Sequence, residues 1–294
     1  MTDLPSTEAL DTATAEIDRL DDTELARTLI ETHRTAVDAA LAASEQIAHA
    51  TTLVVDAIRR GGRVVLVGAG TSGRLAVLDA AELPPTFGVA PNLVEGRIAG
   101  GETALRSAVE GAEDDADAGA RTVADVGPND VVIGISASGG APFVRAAILA
   151  ARERGAATIG IANAANAPLA RDANVGITAA TGAEPIQGST RMRAGTAQKI
   201  VLNAISTGAM IRLGKTYGNR MVDLIATNAK LRARSERLVR DLAGETDARA
   251  LLDRAGGSVK TAIVMARRHV DRTEAERLLQ EAGGRLARVI DGPA

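Results

Sequence analysis

The stretch Arg63-Val-Val-Leu-Val-Gly-Ala-Gly-Thr-Ser-Gly73 decides the fold. Its aliphatic run has no polar alternation, which is the pattern of a strand buried on both faces. The glycine-rich turn after it opens directly into Arg74-Leu-Ala-Val-Leu-Asp79, whose spacing is helical. Strand, tight turn and helix in that order form the first half of a parallel crossover unit. Four more aliphatic runs repeat the rhythm at Asn92–Gly96, Asp130–Ile135, Ala157–Ile161 and Asn174–Ile177. Together they predict an α/β fold, a doubly wound five-stranded parallel sheet with the first strand in its interior.

Helical periodicity takes over on both sides of the sheet. Leu25, Leu29, Val37, Leu41, Ile47, Val54 and Ile58 mark an N-terminal helical arm that ends at Gly61-Gly62. After Thr190 the spacing predicts one helix to about Gly214 and another from Asn219 to about Ala243. The apolar positions of the tail, from Leu251 to Ile290, are spaced for three short helices broken at Gly256-Gly257 and Gly283-Gly284. The expected organisation is an arm over 1–60, a sheet domain with long C-terminal helices over 61–243, and a small helical domain over 244–294.

Composition removes several function classes. Of 294 residues, 46% are hydrophobic but only 1% aromatic (Phe87, Phe143 and Tyr217), so the core is aliphatic and rings for stacking nucleic-acid bases are all but missing. The formal net charge is −3 with both signs interspersed, which builds no field for phosphodiester backbones or anionic lipid. There is no cysteine, and His33, His49 and His269 are far apart in sequence, so no metal site is expected. The segment after Met1 lacks the basic and apolar regions of a signal peptide, and no run reaches membrane-spanning length. The expectation is a soluble, cytoplasmic protein that binds neither nucleic acid nor membrane.

Chemistry starts at Gly68-Ala-Gly-Thr-Ser-Gly73. The run satisfies G-x-G-x-x-G, and Glu95 follows at about the 20-residue interval of a ribose-binding acid. The same glycines also let backbone amides approach a single phosphate, with Thr71 and Ser72 adding hydroxyls. A second turn of this kind, Ser136-Ala-Ser-Gly-Gly-Ala-Pro142, follows the third strand. Pro142 suits the first position of a helix, which would aim the preceding donors at an anion. Two such turns favour a phosphorylated sugar over a dinucleotide.

Two Ser/Thr-Gly turns on a five-stranded sheet resemble the sugar isomerase (SIS) domain, and longer runs narrow the likeness. Gly68 to Gly88, Ile98 to Leu105, Ala108 to Asp115, Gly188 to Lys199, Gly218 to Leu231 and Lys260 to Met265 are similar to the N-acetylmuramic acid 6-phosphate etherase family, over about residues 6 to 290. The resemblance implies cleavage of the D-lactyl ether of N-acetylmuramic acid 6-phosphate to N-acetylglucosamine 6-phosphate and D-lactate, with no metal or other cofactor. Lactate would leave C3 by elimination from the ring-opened sugar, and water would then add back, which needs one acid and one base. Two other readings share the fold: a sugar-phosphate-binding regulator and an aldose–ketose isomerase.

By the same resemblance Glu82 corresponds to the acid that protonates the departing oxygen, and Glu113 to the C2 base. The apolar run before Glu82 predicts partial burial that would keep it protonated. Gly70, Thr71, Ser72, Gly73, Ser136, Ser138 and Gly139 are expected to hold the phosphorylated amino sugar, with Glu102 and Ser189 also reaching it. Arg191 and Arg193 could close over phosphate or the lactyl carboxylate, and Lys199 and Asn203 share a helix face. Where many members of the family carry Arg-Thr, this chain has Gly140-Ala141, so a cation is missing from the second turn. The family pairs as homodimers, and a homodimer is expected here.

Overall fold

The computed structural model describes residues 5–223, 229–244 and 246–292. After short 3-10 turns the arm forms α1 (Asp22–Glu31), α2 (Arg34–Ala42) and α3 (Ser44–Arg59). Then come β1 (Val64–Gly68), α4 (Gly70–Phe87), β2 (Val94–Ile98), α5 (Gly101–Arg106), α6 (Ala116–Arg121), β3 (Val131–Ser136), α7 (Pro142–Glu153), β4 (Ala157–Ala162), α8 (Pro168–Asp172) and β5 (Val175–Thr178). The long helix α9 (Arg193–Arg212) leads to a hairpin, β6 (Thr216–Tyr217) and β7 (Arg220–Met221). Five helices finish the chain: α10 (Ala229–Ala243), α11 (Ala248–Arg254), α12 (Val259–Arg268), α13 (Arg272–Glu281) and α14 (Leu286–Ile290).

Contacts divide the chain into two compact units, Met1–Ala81 with Pro91–Ser206, and Glu82–Ala90 with Thr207–Ala294. The first unit holds the parallel sheet in the order β2-β1-β3-β4-β5. The expected five-stranded parallel sheet is therefore present, with β1 in its interior. Every residue of β1 and β3 is buried, as continuous aliphatic runs require, whereas the edge strands β2 and β5 are only partly covered. Glycine makes close layer packing possible. A β-carbon at Gly119 of α6 would lie 2.1 Å from the Phe143 carbonyl oxygen of α7.

The second unit has a core of its own, built by Val222, Leu238, Val239, Leu251, Leu252, Ile263, Leu279, Leu286 and Val289. Lys260 is buried in it. Its ammonium donates to the Gly284 carbonyl at 2.8 Å and pairs with Asp223 at 2.9 Å, an acid shared with Lys215. Desolvation pushes the Lys260 pKa below its ordinary value, and the Asp223 charge opposes that shift.

Local differences from the sequence reading have simple causes. β2 begins two residues later than expected, because Asn92 and Leu93 still belong to the approach. The helix expected from Asn219 is preceded by the β6–β7 hairpin, which turns at Gly218 with φ of 55°. Residues 224–228 of that expected helix lie outside the described residues. The tail beyond residue 244 has four helices rather than three, because both Gly256-Gly257 and Gly283-Gly284 end a helix and a left-handed His269 ends another.

Candidate active site

The strand order reverses between β1 and β3, and ligands of open α/β sheets bind outside the carboxyl ends of the strands at such a point. Both glycine-rich turns leave the sheet there, because β1 and β3 are parallel neighbours with Gly68 opposite Ile135. In the first turn a β-carbon at Gly68 would meet the Gly73 nitrogen at 2.6 Å, and one at Gly73 would meet Ile98 Cγ1 at 2.5 Å. Strand and helix touch through these two residues. Gly70 has φ of 52° and open space beside it, which leaves its backbone bare to a ligand.

Of the hydroxyls of this turn, that of Ser72 is bonded within the protein. Ser72 is buried and donates to Gln198 Oε1 on α9 at 2.9 Å, and Gln198 in turn donates to Asn163 Oδ1 at 2.8 Å. Asn163 completes the chain with a bond to the Ala179 carbonyl at 2.9 Å. Thr71 lies beside the start of α9, where a β-carbon at Gly195 would stand 3.3 Å from its Cγ2 and 3.4 Å from the Thr190 carbonyl oxygen. The Ser189-Thr190 segment is thereby placed next to the first turn.

In the second turn the hydroxyls organise the loop itself. Ser136 Oγ accepts from the Gly139 amide and Ser138 Oγ from the Gly140 amide, each at 3.1 Å. Gly139 has φ of 69°, and a β-carbon there would meet that of Ala167 at 2.5 Å. Pro142 occupies the first turn of α7, as its ring geometry favours.

A cavity of about 190 Å³ opens under the first turn, lined by Ala69, Gly70, Arg74, Ala99 and the segment Ala108–Glu113. Glu113 reaches it from a 3-10 turn that Gly111 starts in a left-handed conformation and that Asp115 ends by capping α6 through the Ala118 amide at 2.8 Å. The acidic run around Glu113 is thus a tight, exposed turn at a cavity mouth. Glu102 is exposed in the first turn of α5, which also leaves the carboxyl edge of the sheet. Glu82 does not line this cavity. It belongs to the second unit and is exposed on α4 rather than partly buried, because the apolar residues of that turn, Ala80 and Leu83, take the inward positions.

Arg74 is the cavity residue that sequence reasoning left without a role. It sits one position beyond the glycine motif, and only the tertiary structure places it with Glu113. Of the two arginines considered for anion binding, Arg191 is exposed and Arg193 is engaged within the protein. Arg193 pairs with Asp11 at 2.8 Å and donates to the carbonyls of Ala183 and Thr32, while the buried Glu184 accepts from the Arg193 and Ala194 amides at 2.8 and 2.9 Å. Lys199 pairs with the buried Asp79 at 3.3 Å. The N-terminal segment is fastened to the same loop, with Thr14 Oγ1 donating to the Pro185 carbonyl and Gln187 to that of Glu8.

Glu95, at the interval of a ribose acid, belongs to a different cluster. It pairs with Arg63 and Arg97 at 2.8 Å each, and Asp125 pairs with the same two arginines at 2.5 and 2.7 Å. Arg97, through its hydrogen bond, holds both carboxyls below the usual range, Asp125 well below it. Among the described residues no group of acidic or histidine side chains is arranged to hold a metal ion.

The chain is similar to known proteins both in its domain and along its whole length. Residues 46–152 match the glucokinase regulatory protein N-terminal SIS domain, and residues 106–207 match the SIS domain. A curated N-acetylmuramic acid 6-phosphate etherase of Deinococcus radiodurans is 48% identical over 294 residues, covering 99% of this chain and 96% of the relative. The etherase of Escherichia fergusonii is 44% identical over 289 residues, covering 97% of each. Among solved structures, an E. coli CFT073 protein in complex with A5P aligns at a TM-score of 0.50 and 18% identity, over 68% of this chain and 97% of that one, a likeness of fold.

Proposed function

Because the chain belongs to the N-acetylmuramic acid 6-phosphate etherase family, we infer that it is a carbon–oxygen lyase that splits the D-lactyl ether of N-acetylmuramic acid 6-phosphate. The products are N-acetylglucosamine 6-phosphate and D-lactate. The observation that carries this reading is identity of 48% along essentially the whole chain, which spans both glycine-rich turns and both candidate carboxylates. The regulator and isomerase readings give way to it.

The C1 aldehyde of the ring-opened sugar acidifies the C2 proton, Glu113 takes that proton, and Glu82 protonates the ether oxygen as lactate leaves C3. Water then adds at C3 of the unsaturated intermediate as the Glu82 carboxylate takes a proton from it and Glu113 returns its proton to C2, which restores both groups. The position of Glu113 at a cavity under the β1–α4 turn supports its part. The part of Glu82 rests on the family match. Gly70 to Gly73 and Ser136 to Gly139 hold the phosphorylated sugar through backbone amides and the hydroxyls of Thr71, Ser136 and Ser138, with Glu102 and Ser189 at the margin.

The enzyme acts in the cytoplasm, where a charged phosphate ester is retained, and as a homodimer. Support for pairing comes from the arm: α1 buries none of its residues, and Ile30, Val37 and Leu41 are exposed on α1 and α2. Among the described residues no helix is long and apolar enough to cross a membrane.

The test is incubation of the purified protein with N-acetylmuramic acid 6-phosphate and enzymatic assay of D-lactate. Release of D-lactate with stoichiometric N-acetylglucosamine 6-phosphate is expected; an aldose–ketose interconversion without lactate would refute the reading. For pairing, light scattering at micromolar concentration is expected to give twice the 30.1 kDa chain mass, and Ile30→Asp with Leu41→Asp to give the single chain.

A further inference from the structure

Arg74 is half-buried at the cavity that holds Glu113, and its Nε donates to the Leu105 carbonyl at 3.3 Å. Among the described residues no carboxylate lies within ion-pair distance of it, although Glu110 and Glu113 line the same space. The Nε bond fixes the plane of the guanidinium and leaves its two terminal nitrogens as a fork that fits a carboxylate. Ala69, Gly70, Ala99 and Ala104, all small, line the same cavity. The cavity, about 190 Å³, is smaller than the ~300–1,000 Å³ of pockets that enclose a whole ligand. It accommodates one substituent of a sugar.

We propose that Arg74 binds the carboxylate of the D-lactyl group and so separates the ether substrate from its product. This rests on the function inferred above. In that reaction Glu113 works at C2, and the lactyl group hangs from C3, the adjacent carbon. A cation sharing the cavity with Glu113 is therefore next to the lactyl carboxylate. The phosphate lies on C6 at the other end of the sugar, for which the second turn, Ser136 to Gly139, supplies neutral donors. The fork also stabilises the departing lactate and orients the C3 oxygen for its proton.

The measurement compares Arg74→Gln and Arg74→Lys with the unaltered protein. KM and kcat for D-lactate release are determined on N-acetylmuramic acid 6-phosphate, and the dissociation constant of N-acetylglucosamine 6-phosphate, which keeps the phosphate and lacks the lactyl group, is determined by calorimetry. Arg74→Gln is expected to raise KM by about 10- to 100-fold while product affinity stays within about twofold. Arg74→Lys keeps the charge without the fork and falls between, which preserves the test if Arg74→Gln folds poorly. Equal weakening of substrate and product would mean that Arg74 holds the phosphate and would overturn the proposal. So would a loss of kcat alone with both affinities retained, since removal of a group that binds the lactyl carboxylate must weaken the substrate. If the unaltered protein releases no D-lactate but still binds N-acetylglucosamine 6-phosphate, the inferred reaction fails instead, and the proposal with it.

Discussion

Two groups of charged side chains on the same sheet behave in opposite ways. On the edge strand β2, Glu95 and Arg97 project from one face as residues two apart must, and with Arg63 and Asp125 they form a closed set in which every charge has a partner. Around the turn after β1, Arg74, Glu110 and Glu113 share a cavity without pairing with one another. The first group answers its own charges and has a structural part. The second leaves charges to be answered by something that enters, which is the arrangement of a binding site.

The contrast breaks most easily at Glu113. Glu113→Gln is expected to lower the rate of D-lactate release by about 10²- to 10⁴-fold, the range for loss of a general acid or base, with an unchanged melting temperature because the side chain is exposed. A comparable loss of melting temperature would assign it to the paired, structural group. Glu82→Gln is expected to lose activity by at least about 10²-fold on the same grounds.

Glu184 sharpens the comparison from the other side, since it is a fully buried carboxylate whose partners are the amides that open α9. Glu184→Ala is expected to cost about 1–3 kcal/mol in denaturant unfolding, because two N–H groups lose their acceptor. The surviving folded protein should keep the KM of the parent.

The smallest effect is expected at Asp125. Its folded pKa is depressed, chiefly by the hydrogen bond from Arg97, so its stabilisation is present above the unfolded value near ~4 and fades as pH falls below it toward the folded pKa. Asp125→Asn should therefore flatten the acid limb of the stability curve and change stability near neutral pH by about 1 kcal/mol or less, as the carboxylate is 54% exposed. Lactate release should not change. An activity loss there would dissolve the distinction between the two groups.

Much of the fold was readable because its signals are local. Val64 to Val67 and Val131 to Ile135 announce buried strands by unbroken aliphatic runs, and Gly68, Gly70 and Gly73 mark a turn that only small residues can make. The position of β1 inside the sheet and the two turns on one edge followed from those runs and the rules of parallel topology. The shift of β2 and the β6–β7 hairpin escaped notice, since Leu93 reads as strand and Asn219 as helix until the pairing of neighbours decides.

The amino-acid sequence by itself determined the five strands of the parallel sheet, the two glycine-rich turns, and the family to which Glu82 and Glu113 point. Only the tertiary structure decided which charges are engaged. Arg193 read as a candidate anion clamp until Asp11, Ala183 and Thr32 were found around it, and only the fold shows that the Ser72 hydroxyl donates to Gln198. Arg74 went unremarked until Glu113 stood in the same cavity. The reason is physical: backbone geometry follows from neighbours along the chain, whereas the partner of a charge is whatever distant segment the fold brings within a few ångströms.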